Sequence, residues 1–204
     1  MILAILLVLG TAVAPAPDPP PAWLAFGRTW AALNGYGARV AAFERNGAQA
    51  QTLIVDYTFR KPTSVTAHII QGPNPGAIVV WNGGPTMQAH LGGGLLYGLS
   101  RTLSLHDPSA ESPRGSSLDE LSYAYVLRHG STTAGIVTQT LGETIGGVAT
   151  DAVTLVPADP AADGGLTREV VEIATTTHLP MRILGYTGTT LVRDIEYAKL
   201  ALLR

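Results

Sequence analysis

The side chains of this chain that could do chemistry are few and scattered. His106-Asp107 is the one adjacent acid–imidazole pair, and Ser104 two residues upstream would complete a nucleophile, a base and an orienting acid on paper. The surroundings do not support it. No G-x-S-x-G elbow lifts a serine out of a strand-to-helix turn, and the following Pro108 makes a turn cap the expected role of Asp107. His90-Leu91-Gly92-Gly93-Gly94 looks like a glycine-rich oxyanion loop, but with no nucleophile to serve it reads as a flexible turn. The histidines, His68, His90, His106, His129 and His178, include no pair at i, i+2 or i, i+4, so no metal centre is expected. No P-loop, dinucleotide fingerprint or EF-hand loop is present, and no cofactor is expected. Asp119-Glu120 reads as a helix first turn, Glu169 and Glu172 as solvent-facing strand positions, and Arg60-Lys61 and Arg114 as isolated cations. No catalytic residue is expected.

Bulk properties narrow the class further. There are 13 Lys+Arg against 15 Asp+Glu, so no basic surplus exists for a nucleic-acid surface. The chain has no cysteine, which excludes disulfides, thiolate metal sites and lipid attachment at a cysteine. Charged residues make up only 14% of its 204 residues, against roughly 25% in an average soluble domain. A large ordinary core would account for the deficit; so would a second apolar surface, such as a cavity wall. Met1 to Leu9 is an unbroken apolar run, followed by Ala12-Val13-Ala14, small residues at cleavage-site spacing. Residues 1–14 therefore read as a signal peptide, with an uncleaved anchor as the alternative. The run falls short of the roughly 20 residues that span a bilayer. Residues 15–22, rich in proline, read as an extended linker, and residues 23–204 as a single domain.

The elements follow from the spacing of apolar residues. Trp23, Phe26, Trp30 and Leu33 form a helical stripe over 23–36, ended by Gly35 and Gly37. The period then changes to two. Leu53, Val55, Tyr57 and Phe59 share one face of a strand, and Val65, Ala67 and Ile69 one face of the next. Turn chemistry at Asn46-Gly47, Lys61-Pro62, 72–76 and 82–85 joins these strands so closely that they must be antiparallel. Leu95, Leu96, Leu99 and Leu103 suggest a helical or irregular apolar segment. Ser117-Leu118-Asp119-Glu120 matches a capping box opening a second amphipathic helix through Leu121 and Tyr125 to about Gly130. Strands return over about 133–145, 148–157, 167–176, 180–187 and 190–199. The order is helix, meander, helical insertion, meander. So large an antiparallel sheet must curl, and its concave face needs the helical segments as a cover.

This organisation resembles the lipoprotein-carrier (LolA-like) superfamily, which includes outer-membrane lipoprotein receptors and mycobacterial lipid-carrying lipoproteins. Local motifs carry the resemblance. Leu33-x-x-Tyr36 followed by Ala38–Phe43 resembles the family's passage from helix to first strand. Leu53 to Pro62, ending Phe59-Arg60-Lys61-Pro62, resembles its second strand and basic-proline turn. Val80-Trp81-Asn82-Gly83-Gly84-Pro85-Thr86 resembles a family hairpin, with Asn-Gly-Gly where the family has Asp-Gly. The resemblance implies a mainly β, α+β fold: a curved, antiparallel, unclosed half-barrel of ten to eleven strands with helices over its concave face. It also implies acyl-chain binding on that face, with a basic residue in the strand-two turn holding the cover shut. Lys61 falls nearest that position.

The expected site is an apolar cavity. Its wall is assigned to Leu53, Val55, Tyr57, Phe59, Val65, Ala67, Ile69, Val79, Trp81, Met87 and Ala89, beneath residues 92–105 and 117–129. Contacts to the cover are assigned to Lys61, Leu95, Leu99, Leu121 and Tyr125. The expected function is a non-enzymatic carrier of lipid or lipidated protein, exported to the periplasm or cell exterior. It is expected to be monomeric and soluble, with possible envelope protein partners and no nucleic acid. The alternative is a secreted adaptor of an envelope complex whose concave face is filled by its own cover.

Overall fold

The computed structural model describes residues 18–92, 99–132 and 134–204, with backbone alone for 134–137. The signal segment, residues 15–17 of the linker, Leu95 and Leu96 lie outside the described residues. The chain opens with α1 (Pro21–Ala32), whose proline at N1 sacrifices no hydrogen bond and fixes a helical φ. Six strands follow: β1 (Gly35–Asn46), β2 (Gln49–Arg60), β3 (Ser64–Gln71), β4 (Ile78–Trp81), β5 (Thr86–His90) and β6 (Ser100–Ser104). A 3₁₀ turn (Leu118–Leu121) and α2 (Tyr123–Thr132) form the insertion. Five more strands complete the chain: β7 (Ala134–Ile145), β8 (Val148–Pro157), β9 (Arg168–Ala174), β10 (Pro180–Thr187) and β11 (Thr190–Leu203).

These eleven strands form one sheet, in the order β6-β5-β4-β3-β2-β1-β11-β10-β9-β8-β7. Every neighbouring pair is antiparallel. The first and last strands meet in the middle, so two meanders are joined along β1 and β11. The outer strands β6 and β7 do not pair with each other, which leaves an open, curved half-barrel. Short hairpins set the registers. One two-residue turn joins Ile145 to Val148 through Gly146 and Gly147, both at positive φ, the geometry that matches the twist of the flanking strands.

The cover differs from the sequence expectation in three places. The first helix stops at Ala32, and Tyr36 lies on β1, wholly buried. β1 can begin this early because Gly35 passes tight against the Phe59 carbonyl, where a Cβ would collide with backbone. Residues 100–104 are not part of the cover but a sixth strand, paired along its length to β5. Their only large apolar residue is Leu103, so the strand period is invisible. The second helix is split in two at Ser122, which is extended. The capping box at Ser117 and Glu120 does form, with the Ser117 N–H donating to Glu120 Oε1 at 3.1 Å.

The split has a physical cause in the sheet. The hydroxyls of Tyr36 on β1 and Tyr197 on β11 both donate to the Leu121 carbonyl, at 3.2 and 3.0 Å. The Tyr57 hydroxyl on β2 donates to the Leu118 carbonyl at 3.4 Å. Carbonyls that a continuous helix would need are thus held by three buried tyrosines of the sheet. Tyr123 then stacks on Tyr36 at 4.2 Å between ring centroids, and Phe26 of α1 meets Tyr123 edge-on at 5.9 Å. Burying each such ring is worth roughly 1.5–3 kcal/mol. The aromatic cluster therefore fixes both helices over the centre of the sheet.

Candidate ligand-binding cavity

The alternation of β2 and β3 sends one set of side chains onto the concave face, and the pairing register aligns these sets across the strands. Val55 lies opposite Ile69, Tyr57 opposite Ala67, and Phe59 opposite Val65. The row continues with Ala67 opposite Val79, Val79 opposite Ala89, and Val65 opposite Trp81. At one end of these rows the concave face encloses a cavity of about 300 Å³, the lower limit of ordinary small-molecule sites. Its floor is Leu53 and Val55 from β2, Ala67 and Ile69 from β3, Val79 from β4, and Met87 and Ala89 from β5. Ser109, Ala110, Glu111 and Leu118 of the insertion close it from above. Aliphatic and small side chains leave this space because none is long enough to reach the cover.

Seven of the eleven expected wall residues line this cavity. The other four do not. Tyr57, Phe59, Val65 and Trp81 belong to the packed core. Trp30 of α1 sits on Phe59 with centroids 5.4 Å apart, and the Trp81 indole N–H is spent on the Gly84 carbonyl at 2.6 Å. The rows therefore divide lengthwise: the end under α1 is filled, and the end under residues 105–118 is hollow.

The residues expected to touch the cover also separate. Leu121 is buried in the core, while Leu99 is exposed just before β6. Tyr125 lies over a different, polar space. Lys61 Nζ donates to the carbonyls of Trp30 at 2.5 Å and Ala31 at 3.2 Å and sits 4.5 Å from the Trp30 ring centroid. It therefore caps the C-terminal end of α1, where a cation meets free carbonyls and the negative end of the helix dipole. Its hydrogen bonds go to α1 and not to the insertion. Burial there holds the ammonium below its ordinary pKa.

Sequence reading missed a second feature, a buried ionic cluster on the concave face of β1, β9 and β11. Arg193 Nε donates to Glu44 at 2.8 Å, and its Nη2 to Glu120 of the insertion at 3.1 Å. Glu169 stands 3.8 Å from its Nη1. Glu169 and Glu172, expected to face solvent, are buried at 3% and 4% exposure. Glu169 is tolerated through Arg193; Glu172 is held by the Thr150 hydroxyl and the Glu143 N–H. Burial alone would lower the Arg193 guanidinium, but Glu44, Glu169 and Glu120 outweigh it and hold its pKa up. Burial raises the Glu169 carboxyl, with Arg193 opposing. Arg114, expected to be isolated, donates to the Gly164 and Arg45 carbonyls. A polar space of about 180 Å³ lies here, lined by Arg114, Ser116, Glu120, Tyr125, Asp163 and Arg193. A further space of about 310 Å³ lies at the sheet's rim, between the β7–β8 and β9–β10 turns and the far stretch of β11.

The Ser104, His106 and Asp107 set does not assemble. Ser104 Oγ accepts from the His106 backbone N–H at 3.3 Å, not from its ring. Asp107 caps a turn by accepting from the Ser109 N–H and hydroxyl at 2.9 and 2.5 Å, and those bonds hold its carboxyl below the usual range.

No family model matches the sequence, and no curated protein matches it significantly. Solved structures match over most of the chain. An uncharacterized conserved protein from Thermus thermophilus superposes with a TM-score of 0.52 at 8% identity, over 90% of this chain and 86% of that one. An outer membrane lipoprotein-sorting protein domain from Vibrio parahaemolyticus gives 0.46 at 11% identity, over 88% and 91% of the two chains. The lipoprotein LppX of Mycobacterium tuberculosis gives 0.48 at 15% identity, over 88% and 95%. The fold shared with the Thermus thermophilus protein is the open, curved antiparallel half-barrel with a helical cover. The eleven antiparallel strands, the open edges and the helical cover are those implied by the sequence resemblance.

Proposed function

We propose that this chain is a non-enzymatic carrier of lipid, or of the acyl part of a lipidated protein, in the cell envelope. The observation that supports this is the covered, largely apolar cavity of about 300 Å³ on β2 to β5, on the concave face beneath the insertion. Empty apolar space of that size is costly unless used, because its lining forgoes packing contacts. In this reading residues 1–14 direct export and are removed before Pro15, and the mature protein acts as a soluble monomer in the periplasm or outside the cell. No helix among the described residues is long and apolar enough to cross a membrane. Lipid exchange needs the cover to move, and residues 105–118 close the cavity without regular secondary structure before the 3₁₀ turn.

Titration with a fluorescent fatty acid tests the reading. Wild type should bind saturably, one ligand per chain, and Val55→Ser should bind several-fold more weakly because the wall loses apolar contact. No saturable binding would leave the adaptor reading instead. Intact-mass analysis of the exported protein tests the leader. The mass should lack residues 1–14, and a membrane-bound species retaining Met1 would contradict processing.

A further inference from the structure

The cavity's outer end carries a cation that no side chain among the described residues engages directly. Arg101 lies on the edge strand β6, directly opposite Ala89 of β5, and directly opposed side chains share a face. Its side chain is therefore on the concave side, and it lines the cavity. It makes no hydrogen bond and no ion pair among the described residues, although it is the one cation in the cavity lining. The nearby carboxylates are engaged elsewhere: Glu111 with the His106 ring at 3.3 Å, and Asp107 with Ser109, Arg101 reaching Asp107 only as a minor long-range influence. The floor beyond Arg101 is aliphatic as far as Val55.

The dimensions limit what could lie there. The lining runs from β6 to β2, four strand spacings, or roughly 19 Å. An extended alkyl chain of about a dozen carbons spans such a length. We propose that the cavity takes an amphiphile with an anionic head, carboxylate or phosphate, and that Arg101 holds that head at the open edge while an alkyl chain lies across β5 to β2. This rests on the carrier reading and narrows it. A guanidinium matches either head through paired N–H donors, and an edge position keeps the head in water while the tail is dry.

Calorimetric titration of the purified chain with four probes of equal chain length, below their micellar concentrations, tests this. The probes are dodecanoate, dodecyl phosphate, monododecanoylglycerol and dodecyltrimethylammonium. The anionic pair should bind about tenfold or more tighter than the neutral probe, the worth of one charge-assisted pair. The tighter of the two anions then identifies the head. Arg101→Gln should remove that advantage while leaving the neutral probe unchanged, and Arg101→Lys should keep part of it. Arg101 is exposed on an edge strand, so both variants should melt like wild type. The inference is overturned if Arg101→Gln leaves the anionic preference intact, if it weakens all probes equally, or if the cationic probe binds as tightly as the anions. Binding of the neutral probe would still support the carrier reading in those cases. If no probe binds, the carrier reading itself fails.

Discussion

The two halves of the concave face lie on one sheet under one cover, yet they are finished differently. Towards one end of β2 to β5 the inward side chains are Val, Ala, Ile, Leu and Met, and they leave a hollow, whereas Tyr57, Phe59 and Trp81 pack the other end. Over β1, β9 and β11 they include Tyr36, Tyr197, Glu44, Glu169 and Arg193, and the tyrosines and Arg193 reach the insertion and bond to it. Side-chain length decides which half stays open. The cover is anchored on the second half, and the first half is where it spans a gap.

The largest predicted effect lies in the anchored half. Arg193→Met removes the guanidinium shared by Glu44, Glu120 and Glu169, leaving buried carboxylates uncompensated. Such a change costs about 3–5 kcal/mol in urea melts. A loss under roughly 1 kcal/mol would mean the cluster is hydrated and does not anchor the cover.

A matched pair of substitutions compares the halves directly. Val55 of β2 and Val171 of β9 are both fully buried, but only Val55 borders the cavity. A buried hydroxyl without a partner costs about 1–3 kcal/mol. Val171→Ser should fall at the top of that range. Val55→Ser should fall near the bottom, since the neighbouring space can admit water, and should lose ligand binding instead. Equal costs without any binding defect would erase the distinction between the halves.

A smaller effect is pH-dependent. The Asp163 carboxylate, 3.1 Å from His129 Nε2, raises the imidazole above its ordinary 6.5, against burial, which lowers it. A group whose folded pKa is raised stabilises the protein fully below its unfolded value and loses that contribution as the pH rises through the folded value. Wild type should therefore lose a little stability above about pH 6.5 relative to His129→Gln. A difference that grows towards alkaline pH instead would reverse the assignment. The smallest effect is expected at the sheet's far edge. Leu141 is 91% exposed on β7, and Leu141→Ser should change stability by no more than about 0.5 kcal/mol.

How much of this was legible in the sequence depends on how local the deciding interaction is. The alternation from Leu53 to Phe59, the short turns and the capping box are set by neighbours along the chain, and the meanders follow from them. The cavity wall was partly legible, because a period of two shows which residues face inward. It cannot show where the cover touches, and so Tyr57, Phe59, Val65 and Trp81 went to the core while Leu53, Val55 and Ala89 stayed at the cavity. The split at Ser122 depends on hydroxyls from Tyr36 and Tyr197, elements far away in the sequence. The burial of Glu169 depends on Arg193, which the β9–β10–β11 registers bring beside it. β6 was hidden because four of its five residues are polar. Arg101 carries no sequence signal of its own, because only the pairing of β6 with β5 brings it to the cavity's edge.

The most direct test of the carrier function is native mass spectrometry of the mature chain purified gently from the envelope fraction of its own host. The spectrum should show a one-to-one adduct with the mass of a lipid, lost in an Ala89→Leu variant that fills the cavity but keeps the wild-type fold. A bare polypeptide mass, unchanged after incubation with envelope lipid extract, would contradict the carrier function and leave the fold to serve as an adaptor.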